Sequence, residues 1–327
     1  VEITRTVDGV KKKIKSKPLP IQRGVPQGSV LGPVLYIIFV NDLPDYLNNL
    51  CSTLMYADDT VLLLKNRTPA QIEVESYIAV NMAQQYCERN DLLLNEKKSQ
   101  QLIIGRAKEE VCVLPDLEQV GKVKYLGVTI DNKLTWTDHI KNLCSKLSSA
   151  LYVLRRLTHV CNQDMAKTAY YAIFESHLRY GLVVWGGTSK ANLQRVLVLQ
   201  KRAVRILTGL GPRDSCRNAF KEQKILTVID LYILETILFA VRQNPSRGSE
   251  THNHNTRIAN NFALPIHRLA MFEKQPTYVG SNFWNILPEE VKKGKMLKMI
   301  SHWLLNHPYY TVREFKNWRR DPQPWTD

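Results

Sequence analysis

Thr53-Leu54-Met55-Tyr56-Ala57-Asp58-Asp59-Thr60-Val61-Leu62-Leu63-Leu64 sets two apolar runs around a short polar centre. The pattern predicts strand, turn, strand. Successive strand side chains point to opposite faces, so two adjacent carboxylates approach one ion only if a turn re-aims one of them. Charges are costly to bury unless they are paired or metal-bound, which places Asp58 and Asp59 at a surface cleft. Carboxylate oxygens suit Mg²⁺, which keeps several waters and shares its ligands with substrate phosphates. Two such ions, about 3.5–4 Å apart, would activate a 3′-hydroxyl and stabilise a leaving oxygen. An Asp-rich turn without chemistry is the plainer alternative, and on this stretch alone it is the better one.

Upstream, Gly24-Val25-Pro26-Gln27-Gly28-Ser29 is rich in turn formers, and Pro33 suits the first turn of a helix. That helix carries Val34, Leu35, Ile37, Ile38 and Phe39, apolar nearly all round, which predicts burial; its end is expected near Pro44. Before it, Ile3 and Val7 lead into Asp8-Gly9, a tight-turn dipeptide, so residues 1–23 read as a β-hairpin. Lysines 11, 12, 13, 15 and 17 then fit either a solvated strand edge or a phosphate-contacting one.

Downstream, a helix is expected from about Pro69 to Arg89, with Ile72, Tyr77, Val80, Ala83 and Cys87 on one stripe. Strands are expected at 92–94, 101–104 and 125–130. After Trp136 the pattern turns helical: Leu143, Leu147, Leu151 and Leu154 in one helix, Leu193, Val196, Leu197 and Val204 in another that stops at Gly209. Both carry lysines and arginines. The apolar run from Val228 to Val241 contains Asp230 and Glu235; it is too short and too charged for a bilayer and reads as a buried helix. Residues 244–255 read as a linker or long loop, and His252-Asn253-His254 within it as solvated rather than metal-binding.

The chain has 327 residues and a formal net charge of +15. The charge favours a polyanionic partner, nucleic acid foremost. Six scattered cysteines, none in a C-x-x-C pair, read as reduced thiols of an intracellular protein. No signal peptide or membrane span is visible, so a nuclear and cytoplasmic location without a targeting signal is the expectation.

Tyr56-Ala57-Asp58-Asp59 resembles the catalytic-loop signature of reverse transcriptases. Gly24-Val25-Pro26-Gln27-Gly28-Ser29-Val30-Leu31-Gly32-Pro33 resembles the preceding motif, and Asn41-Asp42-Leu43-Pro44 follows it as in LINE-type (non-LTR) retrotransposons. Asn95-x-x-Lys98-Ser99 resembles the next polymerase motif, and Tyr125-Leu126-Gly127-Val128 the primer grip; all stand in the family's order. Weaker cues, among them Leu178-Arg179-Tyr180-Gly181 with Trp185, are similar to arthropod, jockey-like elements.

The resemblance implies roles. Asp58 would be the metal-binding carboxylate and Asp59 its less direct partner, with Mg²⁺, or Mn²⁺ in its place. Pro26, Gln27, Gly28, Ser29 and Tyr56 would line the template and the incoming nucleotide. Lys98 would protonate departing pyrophosphate. Tyr125, Leu126 and Gly127 would place the primer end. Partners would be an RNA template, a DNA primer and dNTPs.

The fold class implied is α+β: a truncated polymerase palm, an antiparallel sheet with the Pro33 and Ile72 helices packed on one side, then a mainly α-helical thumb-like and C-terminal region. The expected divisions are a partial palm over 1–110, primer-grip-like strands over 111–135, a helical thumb-like region over 136–243 and a C-terminal region of no assigned role over 244–327. The family also requires an aspartate on a strand well before Gly24. Only Glu2 and Asp8 precede it, neither in the expected surroundings, and the opening Val1-Glu2-Ile3-Thr4 lacks a Met. The expectation is therefore a fragment without fingers, with little or no polymerase activity alone, an unpaired sheet edge and poor solubility. Three readings follow: a partial RNA-directed DNA polymerase, a catalytically inactive nucleic-acid-binding relic of the same family, and a group II intron maturase. The LINE-like motif order disfavours the last.

Overall fold

A computed structural model describes residues 2–7, 10–17, 24, 28–248, 261–292 and 296–319. The chain divides into two compact units, Val1–Val120 and Gly121–Asp327.

In the first unit, β1 (Glu2–Val7) and β2 (Val10–Lys15) pair antiparallel as the N-terminal pattern predicts. The Asp8-Gly9 turn itself lies outside the described residues. α1 (Gly32–Val40) starts with Pro33 in its first turn. α2 (Leu43–Leu47) follows, with Pro44 in its own first turn. Pro44 thus opens a helix rather than closing one, because a first-turn residue needs no amide hydrogen. β3 (Ser52–Tyr56) and β4 (Asp59–Leu63) form the expected hairpin. α3 (Pro69–Arg89) begins at Thr68, whose hydroxyl accepts from the Gln71 amide.

The core of this unit is small. Leu43, Leu47, Cys51, Ala79 and Tyr86 are buried, with Met55, Leu62 and Leu64 packed against them. α2 and α3 therefore cover the Met55/Leu62 face of the β3–β4 hairpin. The buried line of α3 runs through Ser76, Ala79 and Tyr86. Tyr77, expected on the stripe, is exposed. Tyr86 holds the interior face instead, because its hydroxyl bonds the Asp42 carboxylate and lies 3.5 Å from the Phe39 carbonyl oxygen. Its phenol is pushed up to about 12, first by burial and then by that carboxylate.

Four expectations need correction. α1 is not buried: Val34, Leu35, Ile37, Ile38 and Phe39 are all exposed, Ile38 by 67%. An apolar helix is buried only where something covers it, and the described residues of this unit cover only Gly32, Val40 and part of Tyr36. Residues 92–94 form no strand, because the chain there terminates α3: Asp91 takes a positive φ and the Leu92 amide bonds back to the Cys87 carbonyl. The strand near 101 is just β5 (Gln100–Gln101), paired in parallel with β6 (Glu118–Gln119). The strands also do not join into one antiparallel sheet. Among the described residues they make four separate two-stranded ladders. Hairpins form from local sequence, whereas merging them needs long-range edge partners that the described residues do not supply.

The second unit opens with β7 (Lys122–Tyr125) and β8 (Val128–Asp131), an antiparallel hairpin where one strand over 125–130 was expected. α4 (Thr137–Val160) buries Leu143, Leu147, Leu151 and Leu154, the predicted stripe. α5 (Gln163–Ala169), a π-helical turn over Tyr170–Glu175, α6 (Ser176–Arg179) and α7 (Leu182–Trp185) follow. α8 (Lys190–Thr208) buries Leu193, Val196, Leu197 and Val204 and ends at Gly209 in the left-handed region, again as predicted. α9 (Arg217–Glu222) leads to α10 (Val228–Gln243), the apolar run read as a buried helix. α7, α8, α11 (Pro276–Ile286) and α13 (Met296–Asn306) surround it; α12 (Glu289–Lys292) and α14 (Val312–Asn317) complete the unit. No described helix is long and apolar enough to cross a membrane. All six cysteines are free.

α10 and α11 cross at Gly280. A Cβ there would stand 2.1 Å from the Thr236 carbonyl oxygen and 2.6 Å from the Ala240 Cβ, so no side chain fits without moving a helix backbone. Gly280→Val is expected to destabilise the second unit by about 3 kcal/mol or more. A urea midpoint equal to that of the unaltered chain would show that the two helices do not touch there.

Candidate functional site

The candidate residues fall in both units. In the first, Tyr56 pairs with Asp59 across the hairpin, leaving Ala57 and Asp58 as a two-residue turn. Ala57 has φ +53°, a conformation that costs an L-residue roughly 1–2 kcal/mol. A positive φ at the first turn position matches the twist of the flanking strands. The turn supplies the re-aiming that neighbouring carboxylates need: Asp59 is a strand residue on the Tyr56 face, and Asp58 projects from the tip.

Both aspartates and Tyr56 are exposed. No described residue makes a salt bridge or side-chain hydrogen bond with either carboxylate. The Tyr56 face of the hairpin also carries Leu54 and Leu63, likewise exposed. Tyr36 of α1 lies within electrostatic reach of the tip. Its phenol is pushed up, first by partial burial and then by the Asp58 charge. Sequence reasoning missed Tyr36, the one half-covered residue in the exposed middle of α1. A polar-tipped ring within an otherwise apolar helix was the signal available.

Gly28 stands at φ +83° with open space where a Cβ would be, and Ser29 follows, half-buried. Pro26 and Gln27 lie outside the described residues. Lys98 ends a short 3₁₀ turn over Glu96–Lys98 and is exposed. The turn is held locally: the Asn95 carbonyl accepts from the Lys98 and Ser99 amides, each at 3.0 Å. Lys98 has no described ion pair with Asp58 or Asp59.

The donor set suits a hard divalent cation in part. Asp58 and Asp59 offer carboxylate oxygens, and Mg²⁺ is commonly held by one or two carboxylates with substrate phosphates filling further positions. No group of three His, Cys, Asp or Glu side chains converges among the described residues.

In the second unit, Leu126 and Gly127 form the tip of the β7–β8 hairpin, with φ +44° and +80°. Positive φ at both central positions is the turn geometry that strand twist favours, and Leu126 bears strain that a glycine would not. Tyr180 secures it: its hydroxyl donates to the Leu126 carbonyl, and its ring lies 3.3 Å from where a Gly127 Cβ would stand. Gly181 meets Val128 in the same way, at 3.2 Å, and the Trp185 indole N–H donates to the Tyr180 carbonyl at 2.9 Å. The structure thus brings together Tyr125-Leu126-Gly127-Val128 and Leu178-Arg179-Tyr180-Gly181, two segments with 49 residues of chain between them. Arg179 bonds Glu175 at 2.8 Å and Glu235 at 2.5 Å, which fixes the second segment on the helical core.

Residues 3–130 match the family described as reverse transcriptase (RNA-dependent DNA polymerase). The chain is 32% identical over 228 residues to the RNA-directed DNA polymerase from mobile element jockey of Drosophila melanogaster, covering 62% of this chain and 23% of that protein. It is 32% identical over 213 residues to the probable RNA-directed DNA polymerase from transposon BS of the same organism, with 59% and 23% covered. To the putative 115 kDa protein in type-1 retrotransposable element R1DM, also from Drosophila melanogaster, it is 24% identical over 220 residues, with 60% and 22% covered. The chain thus spans under a quarter of the length of these relatives. No solved structure matches.

Proposed function

We propose, for a chain whose residues 3–130 carry a reverse transcriptase domain, that it is a working part of an RNA-directed DNA polymerase, with Asp58 at the reacting end. The observation that carries this is the exposed, unpaired carboxylate pair on a turn that re-aims one of the two. Asp58 would hold Mg²⁺ at the tip, with Asp59 beside it. The ion would supply charge stabilisation for nucleotidyl transfer from a dNTP to a DNA primer paired with an RNA template. Tyr36 and Tyr56 would border the nucleotide, Gly28 and Ser29 would shape the approach of the template, and Lys98 would stand as proton donor. The Leu126–Gly127 turn, held by Tyr180, would present backbone to the primer end.

A second reading has a specific observation behind it. Among the described residues no third carboxylate joins Asp58 and Asp59, and two are too few for two ions. On that ground the chain by itself binds nucleic acid without extending a primer. α4 and α8 expose Lys141, Lys146, Arg155, Arg156, Arg195 and Arg202. Affinity of the chain for duplex is expected to fall about a hundredfold or more between about 50 and 200 mM salt, measured by filter binding. A salt-insensitive affinity would remove these cations from the interface.

The polymerase reading is tested in the jockey-type relative, with residues 3–130 of this chain replacing the matching segment. Primer extension on an RNA template in Mg²⁺ is the expected result. A folded chimera that binds template and primer and extends nothing would overturn it.

A further inference from the structure

A cavity of about 400 Å³ lies wholly within the second unit, between the start of α8, α10, α11 and α14. Its size is that of ordinary small-ligand sites, ~300–1,000 Å³. Its floor is apolar and aromatic, with Ile229, Tyr232 and Phe283 prominent. Its lining also includes four cations: Lys190, Lys274, Arg313 and Lys316. None of the four makes an ion pair with a described residue. The lining carboxylate, Glu273, is engaged by His267 at 3.1 Å. The cavity therefore carries a positive surplus that nothing described neutralises.

A second, independent feature points inward. Tyr232 is 4% exposed, yet its hydroxyl has no hydrogen-bond partner among the described residues. It lies 3.5 Å from where a Gly187 Cβ would stand, and Gly187 also lines the cavity. Its hydroxyl oxygen is not sealed in the core: it is the part of the side chain that solvent reaches. Tyr232 and Gly187 both line the cavity, so this oxygen is open to a hydrogen bond with a ligand there.

From this we infer that the cavity binds a nucleoside phosphate: the ring on the aromatic floor, where stacking tolerates any base, a polar edge on the Tyr232 hydroxyl, and the phosphate among Lys190, Lys274, Arg313 and Lys316. The inference is independent of the reaction proposed at Asp58. A free nucleotide and the 5′-phosphorylated end of a strand present the same chemistry.

The test uses the full chain and adenosine 5′-monophosphate, followed by calorimetry or ligand-observed NMR. AMP is expected to bind with Kd under about 1 mM, with inorganic phosphate and adenosine each about tenfold weaker or worse. Two variants address the parts separately. Gly187→Leu fills the cavity and places its Cβ in ordinary contacts; the Arg313→Glu, Lys316→Glu pair reverses two exposed charges. Each is expected to weaken AMP binding about tenfold or more while leaving the circular dichroism unchanged. Displacement of AMP by a 5′-phosphorylated oligonucleotide, but not by its 5′-hydroxyl counterpart, assigns the site to strand ends. No displacement by either assigns it to free nucleotide, and both results uphold it. Absence of AMP binding at about 10 mM, or equal binding by both folded variants, would overturn the assignment.

Discussion

Asp58→Asn, placed in the jockey-type chimera, is expected to lower the primer-extension rate by about a thousandfold. Asparagine keeps the size of the side chain and loses its charge. A metal-held transition state draws several kcal/mol from charge stabilisation, and ~4 kcal/mol converts to about 10³ in rate. The turn should survive the change, because Ala57 rather than Asp58 holds the left-handed conformation. Template and primer affinity should therefore stay close to the parent value, so that the loss falls on kcat. Asp59→Asn should cost less, since Asp59 is a paired strand residue beside the tip. Extension by the Asp58 variant at the parent rate would remove this carboxylate from the chemistry, and with it the proposed function.

A large stability effect is expected at Asp230→Ala. Asp230 is fully buried at the start of α10. Its carboxylate accepts from the Thr227 amide and the Tyr309 amide, each at 3.2 Å. The Thr227 hydroxyl lies 2.8 Å from it and 2.7 Å from the Tyr309 carbonyl oxygen, and can donate to one at a time. Alanine leaves two buried amides unsatisfied and removes a capping box. Orphaned donors cost ~1–3 kcal/mol each, and the cap adds ~1. Burial pushes the Asp230 carboxyl well above the usual carboxylate range, against the pull of the Thr227 and Tyr309 donors. Relief of that desolvation offsets part of the loss. A net destabilisation of about 3 kcal/mol remains, a large share of a typical domain's stability.

The pH dependence has a definite sign. A carboxyl whose pKa is raised on folding binds more protons folded than unfolded. Its contribution is full below the ordinary aspartate pKa and declines as pH rises toward the folded value. The gap between parent and variant, read from urea unfolding of each, should narrow over that window. A gap that widens with pH would mean the carboxyl is held ionised by its donors.

Local chemistry was the legible part of the fold. Residues 53–64 gave the β3–β4 hairpin, the leucine spacing gave α4 and α8, and the run from Val228 gave α10, each from neighbours along the chain. What stayed hidden depended on partners far away. α1 has the pattern of a core helix and lies open, because covering depends on other segments. Leu92 has the look of a strand residue and instead ends a helix. The β7–β8 hairpin has the sequence pattern of one strand, because Leu126, unlike Asn or Gly, gives no turn signal; only Gly127 hints at one. For the site, the Asp58–Asp59 tip was visible from spacing, whereas Tyr36 beside it and Tyr180 behind Leu126 were not. A side chain that reaches across 22 or 54 positions leaves no periodic trace.

Tyr309 meets Asp230 across 79 residues of chain. During synthesis α10 therefore leaves the ribosome well before the amide that completes its capping carboxylate. Until Tyr309 arrives, the most buried helix of the second unit carries an incompletely satisfied acid at its first turn. A nascent chain halted between these points should remain protease-sensitive at α10, and the helical core should close only once Tyr309 has emerged.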